Sequence, residues 1–301
     1  MAGELAGKTV AIIGGDERVR EIARLALAAG AAVRAHGAPP GIAEDLGVPQ
    51  APSVEAAVAD ADVIIMPLPG ASPEDHIYAP ASLSPVVFSD AAARRVRPGA
   101  VLLTGDASPA LHALCQAAGL RLHELNGDDE LANLHAIPTA EGAARIATEN
   151  TPHTIHGSRV LVIGFGRVAA AVANLFRGMM ARVTVAARNP VQRARAEMLG
   201  CTPLPLDRLG EHLGEMDVVI NTVRAPILTR DLLGKVRGET LVIDLASPPG
   251  GTDFGAAREL GLRAIWARAQ AGSAPRTAGR DEWRVILRIL HAEGIATRSD
   301  R

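Results

Sequence analysis

The run Gly164-Phe165-Gly166-Arg167-Val168-Ala169 puts small residues at the first, third and sixth positions, directly after an apolar stretch, 160–163. That spacing suits a pyrophosphate. Gly164 permits the tight turn, Gly166 lets backbone N–H groups approach the anion, and Ala169 packs a helix closely on a strand. Arg167 and Val168 then open the helix over the anion. About 20 residues further on, an NAD-selective domain carries an acid for the ribose hydroxyls. Here 184–195 has no Asp or Glu, but it has Arg188 beside Asn189, then Arg193 and Arg195. A guanidinium pairs with a 2′-phosphate through charge-assisted bonds. NADP is therefore the expected cofactor, with NAD the alternative if Arg188 is only a solvated cation. Two later turns, Asn221-Thr222-Val223 and Asp244-Leu245-Ala246-Ser247, are expected to border the nicotinamide. Their plainer reading is ordinary strand-end turn chemistry.

A second set of residues suits carboxylate binding and proton transfer. In Pro138-Thr139-Ala140-Glu141-Gly142, Thr139 either caps a helix, with Glu141 in its first turn, or binds a carboxylate while Glu141 moves a proton. Arg276 and Thr277, ahead of a final helix, are carboxylate clamps or caps. Arg18 is a further clamp, with a surface arginine the simpler reading. Asp16 is a helix cap or a functional acid, and with Glu17 it puts negative charge where a pyrophosphate would sit in the first half. His135 is a weaker acid–base candidate. His153 and His156 have no nearby third ligand, so a loop pair is expected and no metal. The Ser elbow GxSxG, the P-loop and HExxH are absent.

These residues need strands and helices to hold them. Short apolar runs alternate with amphipathic segments, which predicts an α/β chain. Strands are expected at 9–13, 32–35, 63–66, 101–104 and 121–125, and helices at 17–29 and from Ser108-Pro109 to Gly119. The pattern repeats: 158–164 resembles 8–14, and 216–220 resembles 61–65. The reading is two doubly wound Rossmann-like domains with parallel sheets, linked by crossing helices, with the ligand cleft between them. Residues 1–134 form a substrate or partner domain, joined by a C-terminal helix, 280–301, whose last residues fray. Residues 135–279 form the NADP-binding domain, entered through a helix over 138–149.

The 301 residues carry a formal charge of −2, which excludes a broad cationic face for nucleic acid or an anionic membrane. Aromatics are 2%, too few for base-stacking platforms. There is neither a basic-then-apolar leader nor an apolar run of about 18 residues. Cys115 and Cys201 form no CxxC pair. Together these predict a chain of the reducing cytoplasm.

Several segments taken together resemble a known family. They are Gly14-Gly15-Asp16 with Arg18, Ile137-Pro138-Thr139 with Glu141-Gly142, Thr154-Ile155-His156-Gly157-Ser158, Gly164 with Gly166-Arg167, Asp244-Leu245-Ala246-Ser247, Pro249-Gly250-Gly251-Thr252-Asp253-Phe254, and Ala274-Pro275 with Thr277-Ala278-Gly279. The chain resembles the dipicolinate synthase A-subunit family of endospore-forming bacteria, over nearly its whole length. The resemblance implies oxidation of dihydrodipicolinate, derived from 4-hydroxy-tetrahydrodipicolinate, to dipicolinate with a nicotinamide cofactor. It also implies partnership with the flavoprotein-like B-type subunit of dipicolinate synthase and a place in the mother cell during sporulation; a homo-oligomer is expected. The substrate is then a small cyclic dicarboxylate. Glu141 becomes the candidate base, and Thr139, Ser247, Arg276 and Thr277 the candidates that position its carboxylates. The chain departs from the family pattern at 267–271, where Ala-Arg-Ala-Gln-Ala replaces a Pro-Gly-Leu-Pro-Gly-like run. It departs also at Pro248, in place of Arg, and at His135, in place of Asn. Competing readings are another NADP-dependent small-acid dehydrogenase, which a missing Lys-Asp pair disfavours, and a non-catalytic NADP-binding subunit of a heteromer.

Overall fold

A computed structural model describes residues 3–70, 72 and 75–297. The expected helix residues 298–301 lie outside the described residues. In chain order the elements begin with β1 (Thr9–Ile13), α1 (Arg18–Ala28), β2 (Ala32–His36), the short α2 (Ile42–Leu46) and α3 (Val54–Val58), and β3 (Val63–Ile65). A hairpin of β4 (His76–Ile77) and β5 (Val86–Val87) leads to α4 (Asp90–Ala93), β6 (Val101–Thr104), α5 (Pro109–Ala118) and β7 (Arg121–Glu124). The long α6 (Asp129–Asn150) precedes β8 (Arg159–Ile163), α7 (Arg167–Gly178), β9 (Arg182–Ala187), α8 (Pro190–Met198) and β10 (Thr202–Pro205). Then come α9 (Leu209–His212), β11 (Val218–Asn221), α10 (Arg230–Leu233), β12 (Leu241–Asp244), α11 (Phe254–Glu259), β13 (Arg263–Trp266) and α12 (Pro275–Ala292).

The chain divides into two compact units. Unit 1 comprises 1–132 and 275–301, and unit 2 comprises 133–274. Unit 1 holds a parallel sheet in the order β2-β1-β3-β6-β7, and unit 2 one in the order β10-β9-β8-β11-β12-β13. In each sheet the first strand lies inside and the chain winds outward both ways, so the α/β, doubly wound expectation holds for both. Helices cover both faces, which the strand burial requires. In β8, Val160 and Val162 enter one core cluster and Leu161 and Ile163 the opposite one, all fully buried. In β1, Val10 and Ile12 face one cluster and Ala11 and Ile13 the other. Each Val, Leu or Ile among these side chains stabilises its unit by roughly 1.5–3 kcal/mol relative to exposure. The α5 boundaries follow the expected capping: the Ser108 hydroxyl accepts from the Leu111 N–H at 3.0 Å, Pro109 opens the helix, and Gly119 closes it at φ 66°.

Three expectations change. The helix expected to start at Pro138 starts nine residues earlier, because Asp128 is its cap: its carboxylate accepts from the Leu131 N–H at 3.0 Å, and Asp129 and Glu130 favour the first turn. Pro138 therefore sits inside the helix. Thr139 is not a cap, and its hydroxyl donates instead to the His135 carbonyl at 2.7 Å. The final helix begins at Pro275, not at 280, so Arg276 and Thr277 lie in its first turn and 275–279 fold with unit 1. Gly279 does not break that helix; it lets the helix approach α1. The β4–β5 hairpin is also unforeseen, its two-residue strands being too short to carry a pattern.

Candidate nucleotide-binding site

One row of residues crosses the carboxyl edge of the unit 2 sheet in register: Ala186, Ile163, Asn221, Asp244 and Trp266. The turn after Ile163 is the glycine fingerprint. Gly164 has φ +92°, and a Cβ there would stand 2.7 Å from Thr222 Oγ1 and 2.9 Å from a Val223 methyl. Only glycine fits both the backbone and the space. Gly166 is the N-cap of α7 with no side-chain cap, and a Cβ on it would meet open space. Ala169, fully buried, seats the helix on the sheet. The donors at Gly166, Arg167 and Val168 thus head an uncapped twelve-residue helix, the geometry that receives a pyrophosphate.

The neighbouring turns are pinned from within. Asn221 Nδ2 donates to Asp244 Oδ1 at 2.9 Å and to the Val223 carbonyl at 3.0 Å, and its Oδ1 accepts from the Val223 N–H at 3.1 Å. The Asp244 carboxylate also accepts the N–H groups of Ala246 at 2.9 Å and Gly251 at 2.8 Å. Thr222 Oγ1 donates to the Ile163 carbonyl at 2.8 Å. Asn221 and Asp244 are fully buried, and their side chains shape the turns. Leu245 N–H is bonded to the Asn221 carbonyl, and Ser247 is exposed. Gly251 lies against Asn221 Nδ2 and the Val223 carbonyl, where a Cβ has no room.

At the end of β9 the three arginines divide. Arg193 donates to the carbonyls of Ala187 at 2.9 Å and Arg188 at 2.8 Å, and so holds the turn. Asn189 caps α8, accepting from the Val191 N–H at 2.8 Å. Arg188 is exposed, and its guanidinium is unpaired among the described residues. The fit to a phosphorylated dinucleotide is therefore good: a glycine cradle, an uncapped helix N-terminus and an unpaired cation one strand away.

The corresponding turn of unit 1 is closed. Gly15 N–H donates to the Tyr78 carbonyl at 2.7 Å, and a Cβ on Gly14 would stand 2.7 Å from the same oxygen. The Asp16 carboxylate receives Arg18 Nε at 2.8 Å. Arg18 is not the surface residue of the simpler reading: it is buried, and it also donates to Glu282 on α12 at 2.9 Å. Burial, aided by the Asp16 and Asp281 charges, outweighs Arg18 and pushes the Glu282 carboxyl up to about 7. Burial would raise Asp16 too, but its bonds and charge pairing with Arg18 hold it below the usual range.

Of the remaining candidates, Glu141 is exposed on the middle of α6, and Arg276 is exposed near Glu21 in unit 1. Thr277 is half-buried in the same turn as Arg276, and His153 and His156 lie in an exposed loop. Both cysteines are free and buried. Sequence reasoning missed Trp266, whose Nε1 donates to the Ala246 carbonyl at 2.9 Å, whose ring stacks on Phe254 at 5.5 Å, and over which Arg268 sits. The signal for it was the Gly250-Gly251 pair: a Cβ on Gly250 would meet the Trp266 ring at 3.3 Å.

Residues 9–126 match the family described as the N-terminal domain of the dipicolinate synthase A-subunit, and 145–253 match shikimate / quinate 5-dehydrogenase. The chain is 33% identical over 287 residues to the dipicolinate synthase A-subunit of Bacillus subtilis (strain 168), covering 95% of this chain and 97% of that one. The chain belongs to the dipicolinate synthase A-subunit family. A crystal structure of the dipicolinate synthase A-subunit from Bacillus halodurans superposes with a TM-score of 0.88 at 33% identity, covering 96% of this chain and 99% of that chain. The corresponding structure from Bacillus subtilis gives 0.86 at 32% identity, covering 98% and 99%. With this family membership and a dehydrogenase-type second unit, the protein is an oxidoreductase, and these likenesses imply a nicotinamide cofactor. No helix among the described residues is long and apolar enough to cross a membrane.

Proposed function

We propose that this chain is the nicotinamide-binding subunit of a dipicolinate synthase. It oxidises dihydrodipicolinate, formed from its hydrated precursor, to dipicolinate, and NADP is its cofactor. The observation that carries this reading is the 33% identity along 95% of the chain to a dipicolinate synthase A-subunit, together with a unit 2 turn shaped for a dinucleotide. The substrate ring gives up one hydrogen as hydride and a second as a proton, and the bonds rearrange to an aromatic pyridine. NADP, when bound, supplies the hydride acceptor. The protein's share is to orient the ring and receive the proton. Gly164, Gly166, Arg167 and Val168 hold the pyrophosphate, and Arg188 with Asn189 faces the 2′-phosphate. The 221–223 and 244–246 backbones border the nicotinamide. Glu141 accepts the proton, and Ser247, exposed in the same unit, hydrogen-bonds a substrate carboxylate. A flavoprotein-like B-type subunit is the proposed partner, a homo-oligomer the proposed state, and the cytoplasm of a sporulating mother cell the proposed location.

The test follows absorbance of reduced nicotinamide in mixtures of the chain, NADP or NAD, and dihydrodipicolinate generated in place, with and without a B-type subunit. Reduced cofactor appearing together with dipicolinate supports the reading. Cofactor binding with no reduction in either mixture overturns it in favour of a non-catalytic NADP-binding subunit.

A further inference from the structure

Three arginines stand at the carboxyl ends of unit 2 strands with no hydrogen bond or ion pair from their guanidinium groups among the described residues: Arg188 after β9, Arg224 after β11 and Arg268 after β13. Elsewhere arginines are mostly paired, as Arg208 is with Glu211, Arg230 with Glu259 and Arg237 with Asp217. The one acid in the strand-end row, Asp244, is buried and holds three donors, so it neutralises none of them. An edge built this way favours anions.

Arg268 differs from the other two in being held. Its guanidinium carbon lies 5.0 Å from the centre of the Trp266 ring, a cation–π placement that orients the planar group without neutralising it. The indole is itself fixed. Its N–H is bonded to the Ala246 carbonyl at 2.9 Å, Phe254 stacks against it at 19°, and the Gly250 backbone lies against its ring. The Arg268 carbonyl accepts from Gln270 Nε2 at 3.3 Å, and the Gln270 side chain packs on Gly142, where a Cβ would stand 2.6 Å from its Oε1. The segment 266–270 is thus anchored at one end to the Ala246 turn and at the other to α6 beside Glu141. An unpaired guanidinium is held over the indole that is bonded to the turn ending in Ser247.

We propose that Arg268, carried on the Trp266 indole, binds a carboxylate of the substrate and sets a preference for planar dicarboxylates over monocarboxylates. The inference rests on the dicarboxylate reading above. Two N–H donors in a rigid fork match one carboxylate, and a substrate lacking that group forfeits the contact.

The test is calorimetric titration of the full-length chain loaded with NADP, using pyridine-2,6-dicarboxylate and pyridine-2-carboxylate as probes. Arg268→Gln is expected to weaken the dicarboxylate at least tenfold and to erase its advantage over the monocarboxylate. The Kd for NADP should stay within twofold, since Arg268 is exposed and lies beyond the strand-end row from the glycine turn. Trp266→Phe, which keeps a ring but loses the indole N–H, is expected to give a smaller loss. If Arg268→Gln binds the dicarboxylate as the parent chain does, the inference is overturned and the dicarboxylate reading stands. If the parent chain binds NADP but neither probe, the dicarboxylate reading itself fails and the inference with it.

Discussion

Arg188 and Arg193 show how two like residues in one turn come to do different work. Arg193 reaches back five and six residues to two carbonyls and fixes the turn, while the Arg188 guanidinium has no partner among the described residues. Arg188→Asp is therefore expected to weaken NADP by roughly 10- to 100-fold, the equivalent of one or two charge-assisted bonds. The acid would then accept from a ribose 2′-hydroxyl, so NAD should bind as well as before or better. Titration of both nucleotides checks this, and equal losses for the two would remove Arg188 from the 2′-phosphate site. The glycine fingerprint was legible because its chemistry is local: turn, anion and helix start lie within six residues. The bond between Asn221 and Asp244 was not legible, since it depends on β11 and β12 lying side by side, 23 residues apart.

At the scale of elements, the closest helix contact in unit 1 is that of α1 with α12. Trp283, Ile286 and Leu290 of α12 join Val19, Ile22 and Ala26 of α1 in one buried cluster. Gly279 sets the separation: a Cβ on it would lie 2.5 Å from the Arg18 carbonyl oxygen and 3.0 Å from the Glu21 Cβ. Backbone cannot yield as a flexible side chain does, so Gly279→Ala should force the helices apart. It should destabilise unit 1 by about 1–3 kcal/mol, although alanine has the better helix propensity. Thermal or urea unfolding measures this; an unchanged or raised midpoint would show that propensity wins. In the sequence Gly279 looked like the end of a loop. What keeps it inside a helix is a contact with residues more than 250 positions away.

For the molecule as a whole, stability against pH carries the mark of that same interface. The Glu282 carboxyl has an ordinary value of 4.5 when exposed and is pushed up to about 7 in the folded chain, chiefly by burial. Between those values the native state binds more protons than the unfolded chain, so stability falls as pH rises and the loss is complete above about 7. A shift of that size corresponds to about 3 kcal/mol. Asp16 acts the other way: its lowered value stabilises the fold above its ordinary 3.8, and that contribution is lost as pH falls through the lowered native value. Glu282→Gln keeps an acceptor for Arg18 but has no proton to lose. Its unfolding midpoint should therefore vary less between pH 5 and pH 8 than that of the parent chain. The same slope in both would rule out Glu282 as the source.

The sequence by itself determined the fold class, the two parallel sheets and the glycine turn ahead of α7. Each is written in short-range terms: apolar runs too buried for one-sided strands, helix punctuation, and small residues at fixed spacing. Tertiary structure decided which polar residues are available to a ligand. Arg18, a surface arginine in the simpler reading, is buried between Asp16 and Glu282, and Thr139 has its hydroxyl turned into its own helix. Arg268, unremarked as a binding residue, stands unpaired over Trp266. Whether a charge is buried, paired or free depends on partners brought from elsewhere in the chain, and residue type and spacing do not encode those partners.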